Sequence, residues 1–175
     1  MKPKNSWGAI AQRPLSQVTV ATSDIMLELL ALAALLLCFA IPLAAWDRLP
    51  DTISAHFNLG GEVDGYGSKS SILYPLPVVA VLYIALTILS RYPRIYNYVV
   101  EITEKNAQIQ YLLATRLVRL LKLVVMLTFS FLEYLMVTSA FGHHKTLAAT
   151  SFGPVVLLVI LGTLGYYLCR SVQAK

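Results

Sequence analysis

Side chains of several chemical kinds lie within one short polar segment of the first half of the chain. His56, Asp64, Tyr66 and Lys69 supply an imidazole, a carboxylate, a phenol and an amine, and four glycines stand among them. Together these groups can donate and accept hydrogen bonds and pair with charges on a ligand. The segment therefore predicts a recognition surface for a ligand such as a peptide.

The same segment also has a structural interpretation. Asn58 and Asp64 are residue types whose side chains bond to nearby backbone, and Gly61 is one of the glycines that permit tight reversals. On this interpretation the side chains close a compact loop. A loop can fold for one reason and bind for another, so both interpretations stay open.

The histidines are candidate ligands of a metal ion. His56, His143 and His144, with nearby aspartates, are of the types that zinc favours. Adjacent histidines do not easily point at one ion, and the chain has no H-E-x-x-H motif. We therefore expect solvated turns, with no metal and no cofactor.

Catalytic motifs are missing from the sequence. It contains no G-x-S-x-G elbow, no carboxylates paired on one face and no glycine-rich loop suited to phosphate. We therefore expect that the protein is not an enzyme.

Glu133 is the most unusual single residue because it lies within the apolar run Leu123–Phe141. A carboxylate at such a depth costs at least ~2.5 kcal/mol on insertion scales, so it should face the protein interior and find a partner. Protonated Glu133 can then hydrogen-bond Tyr134, Thr163 or Tyr166. The alternative is that Glu133 relays protons or binds a cationic ligand.

Glu28 lies about one helical turn inside the first apolar run. Its depth is close to the membrane interface, where a carboxylate stays hydrated or pairs. We expect it to pair with Arg119 or Lys122 across the helices.

Four apolar runs must position all of these residues. The chain has 175 residues and is 57% hydrophobic, and each run holds about 20 residues, the length that crosses a bilayer. Backbone polar groups in lipid must be satisfied within their own segment, so the runs should be helices. The predicted fold class is an all-α integral membrane protein with four transmembrane helices, over Ile25–Ala45, Ile72–Ser90, Leu123–Phe141 and Phe152–Cys169.

Basic residues predict the orientation of these helices. Eleven of the 14 Lys and Arg residues lie in the N-terminal arm, in the stretch between the second and third runs, and in the C-terminal tail. The positive-inside rule then places both termini in the cytoplasm and a compact loop, residues 46–71, outside. The net charge of +5 follows the membrane, so no nucleic-acid partner is expected. The residues expected to reach anionic lipid headgroups are Arg91, Arg94, Arg116, Arg119 and Lys122.

The predicted organisation has four parts. Residues 1–24 form a loose cytoplasmic arm, and residues 25–90 form the first two helices with the outer loop. Residues 91–122 form a basic cytoplasmic loop and helix, and residues 123–175 form the last two helices and a short tail. Within them, Ser23 or Asp24 is expected to cap the first helix and Thr103 the third. Weak alternation over Thr52–Phe57 indicates a short extended stretch.

A set of spaced residues in the outer loop resembles a known family. The set comprises Leu49-Pro50, Ile53, His56-Phe57-Asn58, Gly61, Asp64, Tyr66 and Ser68-Lys69, and the likeness continues through Tyr92–Tyr98 and Ile102–Ala107. These residues resemble a bacterial membrane family with a conserved domain of unknown function, related to the SdpI-type immunity proteins that protect against the sporulation-delaying toxin. The resemblance implies a multi-span protein of the bacterial cytoplasmic membrane, or of another internal bacterial membrane, without known catalytic activity.

Three functions are compatible with these residues. The first is a non-enzymatic immunity- or sensing-type protein whose outer loop recognises an extracytoplasmic ligand. The second is an accessory subunit of a larger membrane complex, with a membrane protein as partner. The third is a small proton-linked transporter that uses Glu133.

Overall fold

A computed structural model describes residues 13–16, 18–58, 62–142 and 147–175, with side chains omitted for 147–150. Within these ranges the chain is mostly helical. Its main helices are α1 (Thr22–Ala45), α2 (Pro75–Leu89), α3 (Ala107–Ala140) and α4 (Leu147–Gln173). With their short 3-10 extensions, four helical segments of the described residues are long and apolar enough to cross a membrane, as predicted, which indicates a multi-pass membrane protein.

The loop between the first two helices departs from the predicted all-α class. The stretch Thr52–Phe57, predicted to be extended, is strand β1, and it pairs antiparallel with β2, Val63–Ser68. Gly65 and Gly67 permit this pairing, because a Cβ on Gly65 would lie 2.9 Å from the Cβ of His56. Two glycines in six residues leave β2 without the apolar alternation that reveals a strand. The sequence therefore indicated only half of the hairpin.

Both predicted helix caps were wrong. Helix α1 begins at Thr22 after Ala21, whose amide donates to a carboxylate oxygen of Asp24 over 2.9 Å. Helix α3 begins at Ala107 rather than at Thr103, because the Asn106 side chain accepts the Thr103 amide over 2.9 Å and closes a turn there. Its 34 residues correspond to about 51 Å, so α3 is long enough to extend beyond a hydrocarbon core.

Helix α3 is the centre of the packing and contacts α1, α2, α4 and β1. Ala31, Ala34 and Cys38 recur one turn apart on α1 and are buried. Small side chains let two helices approach closely. The hydroxyl of Ser130 on α3 accordingly donates to the carbonyl of Ala34 over 2.6 Å. This core is completed by Leu76 and Val79 of α2 and by Met126 of α3.

A second apolar cluster joins the hairpin to the helix ends. Ile53 of β1 and Ile72 pack with Ala45, Leu49 and Met136. Ile53 is 1% exposed, so the hairpin is seated on the bundle rather than held away from it. The expected compact cap in this region is therefore an ordered two-stranded element.

Candidate functional site

The hairpin, Thr52–Ser68, brings His56 and Asp64 together. Nδ1 of His56 lies 2.5 Å from Oδ1 of Asp64, on the neighbouring strand. The His56 side chain is 73% exposed and that of Asp64 43%. These two predicted site residues therefore form one accessible pair that can both donate and accept hydrogen bonds.

The other predicted loop residues divide between exposed and structural positions. Tyr66 is 68% exposed, and the Lys69 ammonium lies 4.6 Å from the centre of the Trp46 ring. The Asn58 amide donates to the carbonyl of Glu62, and its side-chain oxygen accepts the Glu62 amide over 3.0 Å. Asn58 therefore closes the turn of the hairpin, while Gly61 lies outside the described residues.

One face of the hairpin is fastened to α3. The hydroxyl of Ser139, near the end of α3, donates to that of Ser54 in β1 over 3.0 Å. Both serines are buried at 2% exposure. The hairpin therefore presents His56 and Asp64 to its surroundings while Ser54, earlier in β1, is bonded to the central helix.

At the far end of α3, five charged residues form what we call the charge cluster: Asp24, Glu28, Arg116, Arg119 and Lys122. Asp24 is fully buried, with its carboxylate 3.0 Å from Nε of Arg116 and 3.2 Å from a terminal nitrogen of Arg119. Glu28 lies 3.4 Å from Nε of Arg119 and pairs directly with the Lys122 ammonium. The predicted pairing of Glu28 with Arg119 and Lys122 is thus confirmed.

The three bases of this cluster have partners other than the lipid headgroups predicted for them. Lys122 is fully buried, and its ammonium also donates to the Thr87 hydroxyl over 2.9 Å and lies 4.8 Å from the centre of the Tyr83 ring. Arg119 is 9% exposed. The physical reason is that two carboxylates on α1 lie at the same level and compensate the desolvation of the bases. Lys122 therefore ties α1, α2 and α3 together.

Arg94, also predicted to contact headgroups, takes part in a reciprocal contact with the N-terminal arm. One guanidinium nitrogen of Arg13 donates to the carbonyls of Arg94 and Tyr96, and Arg94 donates to the carbonyl of Arg13 over 2.7 Å. The Tyr111 hydroxyl donates to the carbonyl of Pro14. Residues 13 and 14 are therefore held against the bundle, unlike the loose arm predicted. Arg91 remains exposed.

Two partly buried tyrosines, Tyr96 and Tyr98, lie beside this contact. The Tyr96 hydroxyl donates to the carbonyl of Leu89 over 2.7 Å, and the Arg13 guanidinium lies 5.3 Å from the centre of the Tyr98 ring. Burial raises the pKa of Tyr96 to about 12, although the Arg119 guanidinium opposes that shift. Burial also raises the pKa of Tyr98, and its tyrosine neighbours add to the effect. Both phenols stay neutral at ordinary pH.

Glu133 occupies the interior, as predicted, but without the predicted partner. It is fully buried, and neither carboxyl oxygen has a hydrogen-bond partner among the described residues. Tyr134 and Tyr166, two of the proposed partners, are each at least 50% exposed. The prediction failed because Tyr134 is adjacent in sequence and so lies on a different face of α3 from Glu133.

No group of three or more His, Cys, Asp or Glu side chains that could hold a metal ion occurs in the described ranges. His143 and His144 lie outside them. Sequence reasoning missed the serine pair Ser54–Ser139 and the contact of Thr87 with Lys122. Single hydroxyls within apolar or polar runs carry no pattern that could have marked either.

Comparison with known proteins gives two partial matches. A family model described as "Domain of unknown function (DUF1648)" matches residues 33–81, from the middle of α1 through the hairpin into α2. An uncharacterised protein of Archaeoglobus fulgidus is 32% identical over 76 residues, which cover 39% of this chain and 42% of that protein. No solved structure matches the chain. Neither match supports a relationship to immunity proteins, and that relationship stays a prediction.

Proposed function

We propose that this chain is a non-enzymatic membrane protein of the immunity or sensing type, whose hairpin recognises a ligand outside the cytoplasm. The observation that carries the proposal is the exposed His56–Asp64 pair on a hairpin that Ser54 bonds to α3. A site on a rigid support can bind a ligand with little loss of conformational entropy. The exposed ring of Tyr66 adds an aromatic contact surface.

The proposed route inward is α3 itself. This helix is continuous from Ser139, beside the hairpin, to Arg116 in the charge cluster. A ligand that displaces the hairpin displaces one end of a helix whose other end is held by Asp24 and Glu28. Coupling between such sites needs a helix with two arrangements whose equilibrium both sites bias.

The proposed setting is the bacterial cytoplasmic membrane, with both termini inside. The distribution of the Lys and Arg residues supports this orientation. Arg91, which stays exposed, is suited to anionic lipid headgroups on that side. A peptide is the proposed ligand, because the hairpin offers an imidazole, a carboxylate and a phenol rather than a charge of one sign.

Site-specific photocrosslinking in living cells tests the ligand proposal. Tyr66 is replaced by benzoylphenylalanine in the hairpin, and Leu158, 70% exposed on α4, is replaced in a matched control. We expect a light-dependent peptide adduct at position 66 that is absent at position 158. The adduct should be lost when His56→Ala or Asp64→Ala is added. Absence of any adduct at position 66 in the organism's own membranes would contradict the proposal.

The second candidate function, an accessory subunit, is favoured by one observation. A groove of about 470 Å³ lies between α1, α3 and α4, and it is lined almost wholly by apolar side chains, among them Leu37, Ile41, Leu127, Phe131, Val155 and Val159. A partner helix can pack there. Benzoylphenylalanine at position 127 would then crosslink a stoichiometric membrane protein, and purification in mild detergent would recover the same protein. Crosslinking at position 127 without an adduct at position 66 would support this candidate over the first.

A further inference from the structure

Glu133 lies on the face of α3 that packs against α1. Contacts along this face follow the same order in both helices. Along the two helices, Arg116 faces Asp24, Lys122 faces Glu28, and Ser130 faces Ala34. The two helices therefore run parallel and stay in register. One turn beyond the contact of Ser130 with Ala34, this register brings Glu133 beside Cys38, and the carboxyl acts electrostatically on that thiol.

Glu133 differs from the other two acids on this interface in having no base. Asp24 and Glu28 both pair with cationic side chains. Glu133 is as buried as Asp24, yet both of its oxygens lack a partner among the described residues. Cys38 of α1 is a neutral neighbour, and α2 contributes the apolar residues Leu76 and Val79 to the adjoining core. Among the described residues no ion pair includes the Glu133 carboxyl.

A carboxylate in such surroundings is strongly destabilised, because neither water nor a counter-ion compensates its charge. The neutral acid is the form that this site accommodates. An acid in this position, unlike Gln or Leu, is a group that can bind and release a proton.

We propose that Glu133 is a proton-binding site inside the membrane domain, in exchange with the side of the membrane that carries the hairpin. Of the two ends of α3, the hairpin end is nearer to Glu133. Ser139, which is bonded to Ser54, lies six residues from Glu133, or about 9 Å along the helix. Lys122 lies eleven residues from Glu133 in the other direction, or about 17 Å. Toward Lys122 the interface is filled by Met126, Ala31 and Ala34. Ile53 and Met136 enclose this side, and the buried hydroxyls of Ser54 and Ser139 are the polar groups that join it to the hairpin.

Carbodiimide labelling tests this proposal on the unmodified protein. A protonated carboxyl transfers its proton to a carbodiimide nitrogen while its oxygen adds to the central carbon. Migration of the acyl group to nitrogen then leaves a stable N-acylurea that retains every atom of the reagent. The wild-type protein in vesicles of uniform orientation is treated with dicyclohexylcarbodiimide, which enters the membrane, and in parallel with a water-soluble carbodiimide. The modified residue is located by peptide mass spectrometry.

We expect the membrane-soluble reagent to label Glu133 and to spare Asp24 and Glu28, and the water-soluble reagent to label none of the three. Raising the pH on the hairpin side should reduce labelling of Glu133 by about tenfold for each pH unit above the midpoint, while the same change on the other side should have no effect. No labelling of Glu133 at any pH would overturn the proposal. Labelling that ignores pH would overturn proton exchange, and labelling that follows the pH of the opposite side would overturn the proposed route.

Variants add a second readout. Glu133→Gln should lose both the label and the infrared band of a protonated carboxyl, and Glu133→Asp should retain both. Ser139→Ala should slow the response of labelling to pH several-fold. Thr128→Ala is the matched control, because it removes a hydroxyl that is bonded to the carbonyl of Val124 in its own helix. This variant should respond to pH as fast as the wild type. An equal response in Ser139→Ala and Thr128→Ala would exclude the hydroxyl route.

Discussion

Ser139 of α3 and Ser54 of β1 share a hydrogen bond of 3.0 Å between two buried hydroxyls. This bond connects an element that extends beyond the apolar bundle to the helix that organises the bundle. Around it, Ile53 and Met136 exclude water. The hairpin and α3 are therefore expected to move as one unit.

Ser139→Ala tests that connection. The substitution leaves the buried Ser54 hydroxyl without this donor, which costs about 1–3 kcal/mol. We expect the amides of β1 and β2 to exchange hydrogen about 5- to 100-fold faster, as measured by mass spectrometry in nanodiscs. Thr138→Ala is the control, because the Thr138 hydroxyl bonds to the carbonyl of Tyr134 within α3. Unchanged hairpin exchange in Ser139→Ala would show that the apolar contacts alone hold the two elements together.

Lys122→Ala should be the most destabilising change in the charge cluster. It removes a fully buried cation that contacts Glu28, Thr87 and the Tyr83 ring, and it leaves the Glu28 carboxylate with Arg119 as its remaining base. Breaking one side of a buried ion pair typically costs about 3–5 kcal/mol. The measurement is denaturant unfolding in mixed micelles.

Two further variants separate charge from packing at this position. Arg116→Ala removes a side chain that is 31% exposed, so its cost should be smaller than that of Lys122→Ala. The double variant Glu28→Gln with Lys122→Met removes both charges and should recover much of the lost stability. Equal destabilisation by Lys122→Ala and the double variant would show that loss of the ammonium contacts with Thr87 and the Tyr83 ring, rather than the unpaired Glu28 charge, determines the cost.

These residues also show what the sequence could predict. Runs of about 20 apolar residues have few alternatives in lipid, so four helices of membrane-crossing length followed from composition. The pairing of Glu28 followed from its depth in the first run. The hairpin was half predicted, since β2 is rich in glycine. The bases of α3 were predicted to contact lipid headgroups because snorkelling can be judged from a single helix. Ion pairing, by contrast, depends on which helices are neighbours. That choice of neighbours is a tertiary property: the depth of Glu28 predicted one pair, but nothing in the spacing of the bases specifies that Asp24 also lies beside Arg116 and Arg119.

Gln110 is expected to hold the C-terminal end of α4. Its amide nitrogen donates to the carbonyls of Ser171 and Ala174, and its oxygen accepts the Ser171 hydroxyl over 2.6 Å. Gln110→Ala removes three hydrogen bonds at once, so we expect this end of α4 to separate from α3 and to become sensitive to protease. Gln108→Ala is the matched control, since Gln108 is exposed two residues away. Equal protease sensitivity in the two variants would mean that apolar contacts along α4 are sufficient.

The buried tyrosines predict a loss of stability at alkaline pH. The phenol of Tyr96 has a reference pKa of 10.0, which burial raises to about 12. Because the folded-state pKa is the higher one, the stabilising difference is fully present below pH 10 and is lost as the pH rises from 10 to about 12. In that window the unfolded chain releases the proton that the folded chain retains. Denaturant unfolding at several pH values measures the slope.

Tyr96→Phe should flatten this alkaline slope because the variant has no proton to release at that position. At neutral pH it should cost about 1 kcal/mol through loss of the hydrogen bond to the carbonyl of Leu89. Tyr92→Phe is the control, since Tyr92 belongs to the same segment but is 58% exposed. A slope that is the same in wild type and Tyr96→Phe would place the alkaline sensitivity on another group. A slope reduced in both variants would show that burial of Tyr96 is not its cause.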